Sequence, residues 1–168
     1  MRSQTEFSSG ASMTTLVELM AKLRGPGGCP WDREQTHQSL RPYLLEESYE
    51  VLEALDSGKS VKFCEELGDL LLQIVFHAQL AAETDQFDID EVIKSIAEKL
   101  IRRHPHVFAD TKVDGVAAVL ANWEQIKLNE IPGERESVLD GVPRDFPALL
   151  KAEKLQSKAA KVGFDWGD

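Results

Sequence analysis

The chain has 168 residues, 42 % of them hydrophobic, which suits one domain with a real core, and its formal charge of -10 sets its surface against nucleic acid and anionic lipid. Its two cysteines, Cys29 and Cys64, stand in neither a CxxC nor a zinc-like spacing, so a disulfide scaffold and a zinc ribbon are excluded and a reducing cytoplasm is expected. No stretch approaches the roughly 18 apolar residues of a membrane span. A polyanionic substrate would therefore need a local remedy, such as a bound cation with a few Lys and Arg.

Residues 1–13 are polar and Ser/Gly-rich, without the apolar run of a signal peptide, and are expected to form a disordered leader. Leu16, Leu19, Met20 and Leu23 recur at helical spacing, which predicts a helix over Thr15 to Leu23 that stops at Gly25-Pro26-Gly27-Gly28. Gly28-Cys29-Pro30-Trp31-Asp32 reads as a loop, with Asp32 free to cap the next element. A second helix is expected from Pro42 to Asp56, with Leu45, Tyr49, Leu52 and Leu55 on one stripe and Gly58 as its stop.

From Val61 to Thr84 the pattern is helical and apolar nearly all round, through Leu67, Leu70, Leu71, Leu72, Ile74, Val75 and Phe76, so this segment is expected at the centre of the core. Asp88 or Asp90 opens an amphipathic helix carrying Ile89, Val92, Ile93, Ile96, Ala97, Leu100 and Ile101, which ends before Pro105. Further helices are expected from Asp114 to Glu130 and from Pro147 to Gly163. Nothing alternates with period two, and the expected fold class is all-α, an antiparallel helical bundle with short loops. A catalytic domain is expected over 14–146, followed by a C-terminal helix or linker over 147–168.

The helix after Pro42 carries Glu46, Glu47, Glu50 and Glu53. At about 100° per residue, positions 47 and 50 lie about 60° apart and 46 and 50 about 40° apart, so three carboxylates share one strip. Glu66 and Asp69 repeat the i, i+3 spacing in the next helix. Acids near a helix start are ordinary, but Asp69 lies in Leu67-Gly68-Asp69-Leu70-Leu71-Leu72, where burial is expected, and an unpaired buried carboxylate costs several kcal/mol. No Lys or Arg lies between Lys62 and Lys94 to compensate it. A hard divalent cation is the simplest partner, and four carboxylates without Cys or His favour magnesium, with manganese second, over zinc. Such a site commonly acts on phosphate esters.

Glu46-Glu47-Ser48-Tyr49-Glu50 followed by Glu66-Leu67-Gly68-Asp69, with fifteen residues between, resembles the EExxE and ExxD signature of the MazG family of all-α nucleoside triphosphate pyrophosphohydrolases. The resemblance extends through Gly28-Cys29-Pro30-Trp31-Asp32, Glu34-Gln35-Thr36, Arg102-Arg103-His104-Pro105-His106-Val107-Phe108, Trp123-Glu124-Gln125-Ile126-Lys127 and Gly163-Phe164-Asp165-Trp166, and covers nearly everything from Leu16 to Trp166. It implies a helical core similar to dimeric dUTPases, assembly as a homodimer or higher oligomer, and hydrolysis of (deoxy)nucleoside triphosphates between the α and β phosphates. It also implies that Glu47, Glu50, Glu66 and Asp69 ligate the metal. Glu46 would be an extra ligand or the base that orients the attacking water, so that Glu46, Glu47 and Glu50 form the catalytic set.

Lys99 and Arg103 are four apart on one helix face and, with the resemblance, are expected to grip phosphates; cations near a helix C-terminus otherwise only complement the dipole. Trp123 and Lys127 match family positions close to the nucleotide. Trp31 and His37 either contact the nucleobase, Trp31 by stacking, or plug the bundle end and cap a turn. His104 and His106 flank a proline at a helix end and read as structural. Many family members carry two such modules, and the tail from Lys151 to Trp166 resembles the helix that joins them. Two functions are therefore expected to compete: pyrophosphohydrolysis in nucleotide-pool cleansing or signalling-nucleotide turnover, and a nucleotide-binding or dimerisation module with little catalysis.

Overall fold

The computed structural model describes residues 11–130, 137 and 139–165. Most of the expected leader, residues 1–10, and Trp166 lie outside them. Among the described residues there are eight helices and no strand. The chain divides into two compact units, Met1–Glu98 and Lys99–Asp168.

In the first unit, α1 (Met13–Arg24) starts at Ser12, whose hydroxyl accepts from the Thr15 N–H at 3.2 Å, and ends at Gly25. The segment expected as a loop contains a five-residue helix, α2 (Pro30–Glu34). Pro30 opens it, and a proline costs nothing in a first turn because its missing N–H would be unpaired there anyway. α3 (Arg41–Ser57) ends at Gly58, which takes the left-handed conformation at φ 66 that closes a helix without Cβ strain. Only Gly58 and Lys59 separate it from α4 (Ser60–Ala82), so the two helices turn back on each other. Their pairing is antiparallel: Lys62 lies 4.0 Å from Glu53 near the turn, while Asp69 lies beside Glu47 further along.

The core is the second half of α4. Val75, Phe76, Ala78 and Leu80 are buried with Met20 of α1, Leu40 and Ile89, and Leu16, Val17, Leu71, Leu72 and Val92 pack around them. Each large side chain so enclosed contributes roughly 1.5–3 kcal/mol. The expectation that all of this helix is central fails for its first half, where Leu67 is exposed, because α1 and the chain after α4 cover only the later turns.

Arg24 ties the unit together. Its side chain is only 7 % exposed, Nε and Nη2 each donate to Glu83 at 2.7 Å, and Nη1 donates to the carbonyls of Asp32 and Gln35. One guanidinium thus joins α1, α2 and the end of α4, and it also lies 5.5 Å from the Phe76 ring centre.

Asp88 decides where α5 (Ile89–Arg103) begins. Its carboxylate accepts from the Glu91 N–H at 3.0 Å while Glu91 accepts from the Asp88 N–H at 3.3 Å, a reciprocal cap. The second unit takes the last turn of α5 and contains α6 (Pro105–Phe108), α7 (Gly115–Glu130) and α8 (Ala148–Ala160).

Candidate metal centre and cationic face

The α3–α4 hairpin brings the helical acids to one place. Glu47, Glu66 and Asp69 each offer a carboxylate oxygen within 4.8 Å of the others. Glu50 stands near enough to Glu66 to raise its carboxyl. Glu46 is exposed and outside this group, acting on it only as the weakest of the charges around Glu47. Asp69 is also exposed, contrary to the burial expected of it, because within its unit the core packs on the later turns of α4 and only α3 runs beside the earlier ones. The reason to expect a cation is then the crowding of like charges rather than the cost of burying one.

The electrostatics agree. Partial burial lifts the Glu47 carboxyl above its ordinary range, and the charges of Asp69, Glu50, Glu66 and Glu46 lift it further. Glu66 is raised first by partial burial and then by Glu50, with Lys62 pulling the other way. Closely spaced carboxylate oxygens with too little positive charge suit a hard divalent cation, which takes oxygen ligands.

Trp31 and His37 belong to the same unit but make separate contacts. Trp31 is 50 % exposed and meets Tyr43 edge-on at 5.8 Å, so it does not plug a bundle end. His37 does not cap a turn: its Nδ1 lies 2.8 Å from Nδ1 of His77, with the rings 3° from parallel and their centres 5.1 Å apart. That centre distance is the nitrogen separation plus two ring radii, so the rings meet edge to edge in one plane. One ring must donate and the other accept. Burial, then His37, holds His77 below the ordinary histidine range. His77 and Gln73, each with a buried polar atom lacking a partner, escaped the sequence reading although both interrupt an apolar run.

In the second unit two of the expected substrate cations, Arg103 and Lys127, are paired. Arg103 donates from Nε to both oxygens of Glu130, at 3.2 and 3.0 Å, and from Nη2 at 2.5 Å. Arg102 donates from Nε to the same carboxylate at 2.7 Å. Held first by Arg103 and then by Arg102, the Glu130 carboxyl is pushed down to about 2. Lys127 binds Glu124 at 2.9 Å and lies 5.4 Å from the Trp123 ring centre, and Lys161 reaches the same Glu124 at 3.3 Å. His104 donates from Nδ1 to the Leu100 carbonyl 2.7 Å away, since a carbonyl only accepts. It also packs edge-on against Trp123 at 5.3 Å, which fits the structural role expected of it. Lys99 is half-buried.

Comparison with known proteins assigns the chain. The MazG nucleotide pyrophosphohydrolase domain matches residues 35–108, which include Glu47, Glu50, Glu66 and Asp69. A nucleoside triphosphate pyrophosphohydrolase of Escherichia coli is 50 % identical over 153 residues, covering 90 % of this chain and 58 % of that protein. An uncharacterized protein of Bacillus subtilis, YabN, is 56 % identical over 143 residues, 85 % of this chain and 29 % of that one. The chain thus spans less than two thirds of the length of either relative. A crystal structure of a mazG-related protein from Thermotoga maritima superimposes with a TM-score of 0.58 at 26 % identity, covering 69 % of this chain and 99 % of that one. The all-helical fold, the acids at their expected spacing and the match through α3 to α6 identify a MazG nucleotide pyrophosphohydrolase domain within this chain.

Proposed function

We propose that this chain hydrolyses (deoxy)nucleoside triphosphates between the α and β phosphates, with magnesium as its metal, giving a nucleoside monophosphate and pyrophosphate. The observation that carries this reading is the group of Glu47, Glu66 and Asp69, with Glu50 beside Glu66, on the α3–α4 hairpin. These four residues would hold the metal, which when bound supplies neutralisation of phosphate oxygens and a more acidic water. Glu46 orients the attacking water from the edge of the group. The water oxygen forms a new bond to the phosphorus on one side of the α–β bridge and gives up a proton to solvent or to a carboxylate of the group, the P–O bond on that side breaks, and its electron pair leaves on the bridging oxygen of the other product.

Lys99 and Arg103 grip the phosphates, Trp123 and Lys127 lie beside the nucleotide, and Trp31 and His37 contact the base. The family resemblance and the chemistry of these side chains support those roles. A broad substrate range fits stacking on an aromatic ring, which every base allows, and a role in nucleotide-pool cleansing accords with such a range.

The chain acts as a homodimer or higher oligomer. Leu45, Tyr49, Leu52 and Leu55 line an exposed stripe of α3, and Leu67 and Ile74 are exposed on α4. Contiguous apolar surface of this kind marks an association site. The free cysteines Cys29 and Cys64 suit the reducing cytoplasm, and no described helix is long and apolar enough to cross a membrane.

The test is to incubate the chain with each nucleoside and deoxynucleoside triphosphate, with and without magnesium, beside Glu50→Gln, and to resolve the products. Monophosphate and pyrophosphate, lost without metal and in the variant, are expected. Orthophosphate would overturn the assigned cleavage. Binding without turnover would favour the nucleotide-binding module.

A further inference from the structure

Arg102 and Arg103 are neighbours in sequence, and adjacent residues on a helix diverge by about 100°. Both nevertheless converge on the Glu130 carboxylate, whose side chain is only 13 % exposed. The contact on Arg103 is specific. Glu130 takes the edge formed by Nε and Nη2, and among the described residues Nη1 makes no hydrogen bond. A guanidinium has a second two-donor edge, Nη1 with Nη2, and that edge is left for another anion. Among the described residues Arg102 is engaged through Nε alone and keeps both of its terminal nitrogens. Two positive charges against one negative leave the cluster cationic.

Glu130 also stands at a telling place on α7. Trp123, Lys127 and Glu130 are spaced i, i+4, i+7, so they form one stripe of the helix. Through Glu130, Arg103 is fastened to the stripe that carries Trp123 and Lys127. His104, next to Arg103, rests on Trp123 and strengthens the same attachment.

We infer that Glu130 is a positioning residue for phosphate binding: it holds Arg103 by one edge so that the other meets a phosphate of the triphosphate tail in a fixed orientation. The inference rests on the proposed role of Arg103 as a phosphate ligand. An arginine held in this way has already lost its side-chain freedom before substrate arrives, and that loss no longer opposes binding. A competing role, in which the carboxylate occupies the arginines until substrate displaces it, would need Glu130 to cover the terminal edge of Arg103, and it does not.

The experiment compares the parent chain with Glu130→Gln and Glu130→Asp. Steady-state kinetics on ATP with magnesium give KM and kcat, and calorimetric titration with inorganic tripolyphosphate gives Kd without hydrolysis. In Glu130→Gln, KM and the tripolyphosphate Kd are expected to rise about tenfold while kcat falls much less, and Glu130→Asp is expected to recover part of the affinity. A rise in affinity for tripolyphosphate in Glu130→Gln would show a competing anion and overturn the inference. Unchanged KM and Kd with a lowered melting temperature would overturn it too, leaving a structural ion pair. Should Glu130→Gln not fold, the same outcomes are read from Glu130→Asp. If the parent binds tripolyphosphate but hydrolyses no nucleotide, the proposed reaction fails while the binding comparison still judges Glu130.

Discussion

The acids of the α3–α4 hairpin and the cations around α7 treat charge in opposite ways. On the hairpin, Glu47 and Glu66 are pushed up by partial burial and then by their neighbours, with too few cations to answer them. Around α7, Arg102 and Arg103 share Glu130, and Lys127 and Lys161 share Glu124. A fold that pairs its charges in one place and leaves like charges together in another incurs repulsion there that packing alone does not explain. The unpaired group is where a ligand is needed for balance. The paired group is ambiguous by itself, since the same ion pairs could serve only the structure, and it needs a functional test.

The largest effect should come from the unpaired side. Asp69→Asn keeps the shape of an exposed side chain and removes one negative charge, so turnover of nucleoside triphosphates is expected to fall on the order of 10²–10³-fold, roughly 3–4 kcal/mol of barrier, with no loss of melting temperature in the absence of metal. A large drop in metal-free stability would instead make Asp69 a structural residue and break the contrast.

Within the same unit, the Arg24–Glu83 pair shows that the hairpin's imbalance is local. Arg24→Ala leaves Glu83 without its cation and two carbonyls without their donor. Breaking a pair in which one partner is buried is expected to cost about 3 kcal/mol, lowering the melting temperature by roughly 6–12 °C. Calorimetry of the variant measures it, and a shift within a degree or two of the parent would mean that the ion pair is dispensable.

Magnesium should act on the hairpin alone. At about a hundred times its Kd, an ion that binds only the folded state stabilises it by about 2.7 kcal/mol, or roughly 5–10 °C in this size range. Glu66→Gln is expected to shrink that gain. The pH dependence sharpens the point: an acid raised on folding favours the folded state at low pH, and this contribution is lost as pH rises through its folded pKa. Without metal, parent minus Glu66→Gln stability is therefore expected to become more negative from pH 4.5 towards neutrality. Thermal melts over that range check it, and a flat difference would remove the case for charge crowding.

How much of this was legible beforehand depended on distance along the chain. The hairpin acids were readable because i, i+3 pairs on two helices need only the Gly58 turn to bring them together. The stop at Gly58 and the end of α5 before Pro105 were readable from the backbone limits of those residues. The helix at Pro30–Glu34 was not, since five residues are too few to show a period. Nor was the exposure of Asp69: periodicity identifies an apolar face but not whether the chain supplies anything to cover it. Arg24, His37 and Arg103 find their partners 59, 40 and 27 residues away, and no local pattern announces such pairs.

The smallest expected effect lies on the paired side and has the opposite pH signature. Glu130 is held at about 2 in the folded chain against an ordinary value of 4.5, so the stability it confers is fully present above pH 4.5 and is lost as pH falls towards 2. The parent and Glu130→Gln should therefore differ by a constant melting-temperature gap from pH 7 to about 5, smaller than that of Arg24→Ala, and the gap should close on further acidification. The exposed side of Arg102 makes part of that contribution sensitive to salt, because exposed ion pairs are screened. A gap that persists to pH 2 would mean that Glu130 acts through packing and hydrogen bonding rather than charge. The two regions would then no longer differ in the way their charges are matched, and the cationic face would lose its strongest physical distinction from the hairpin.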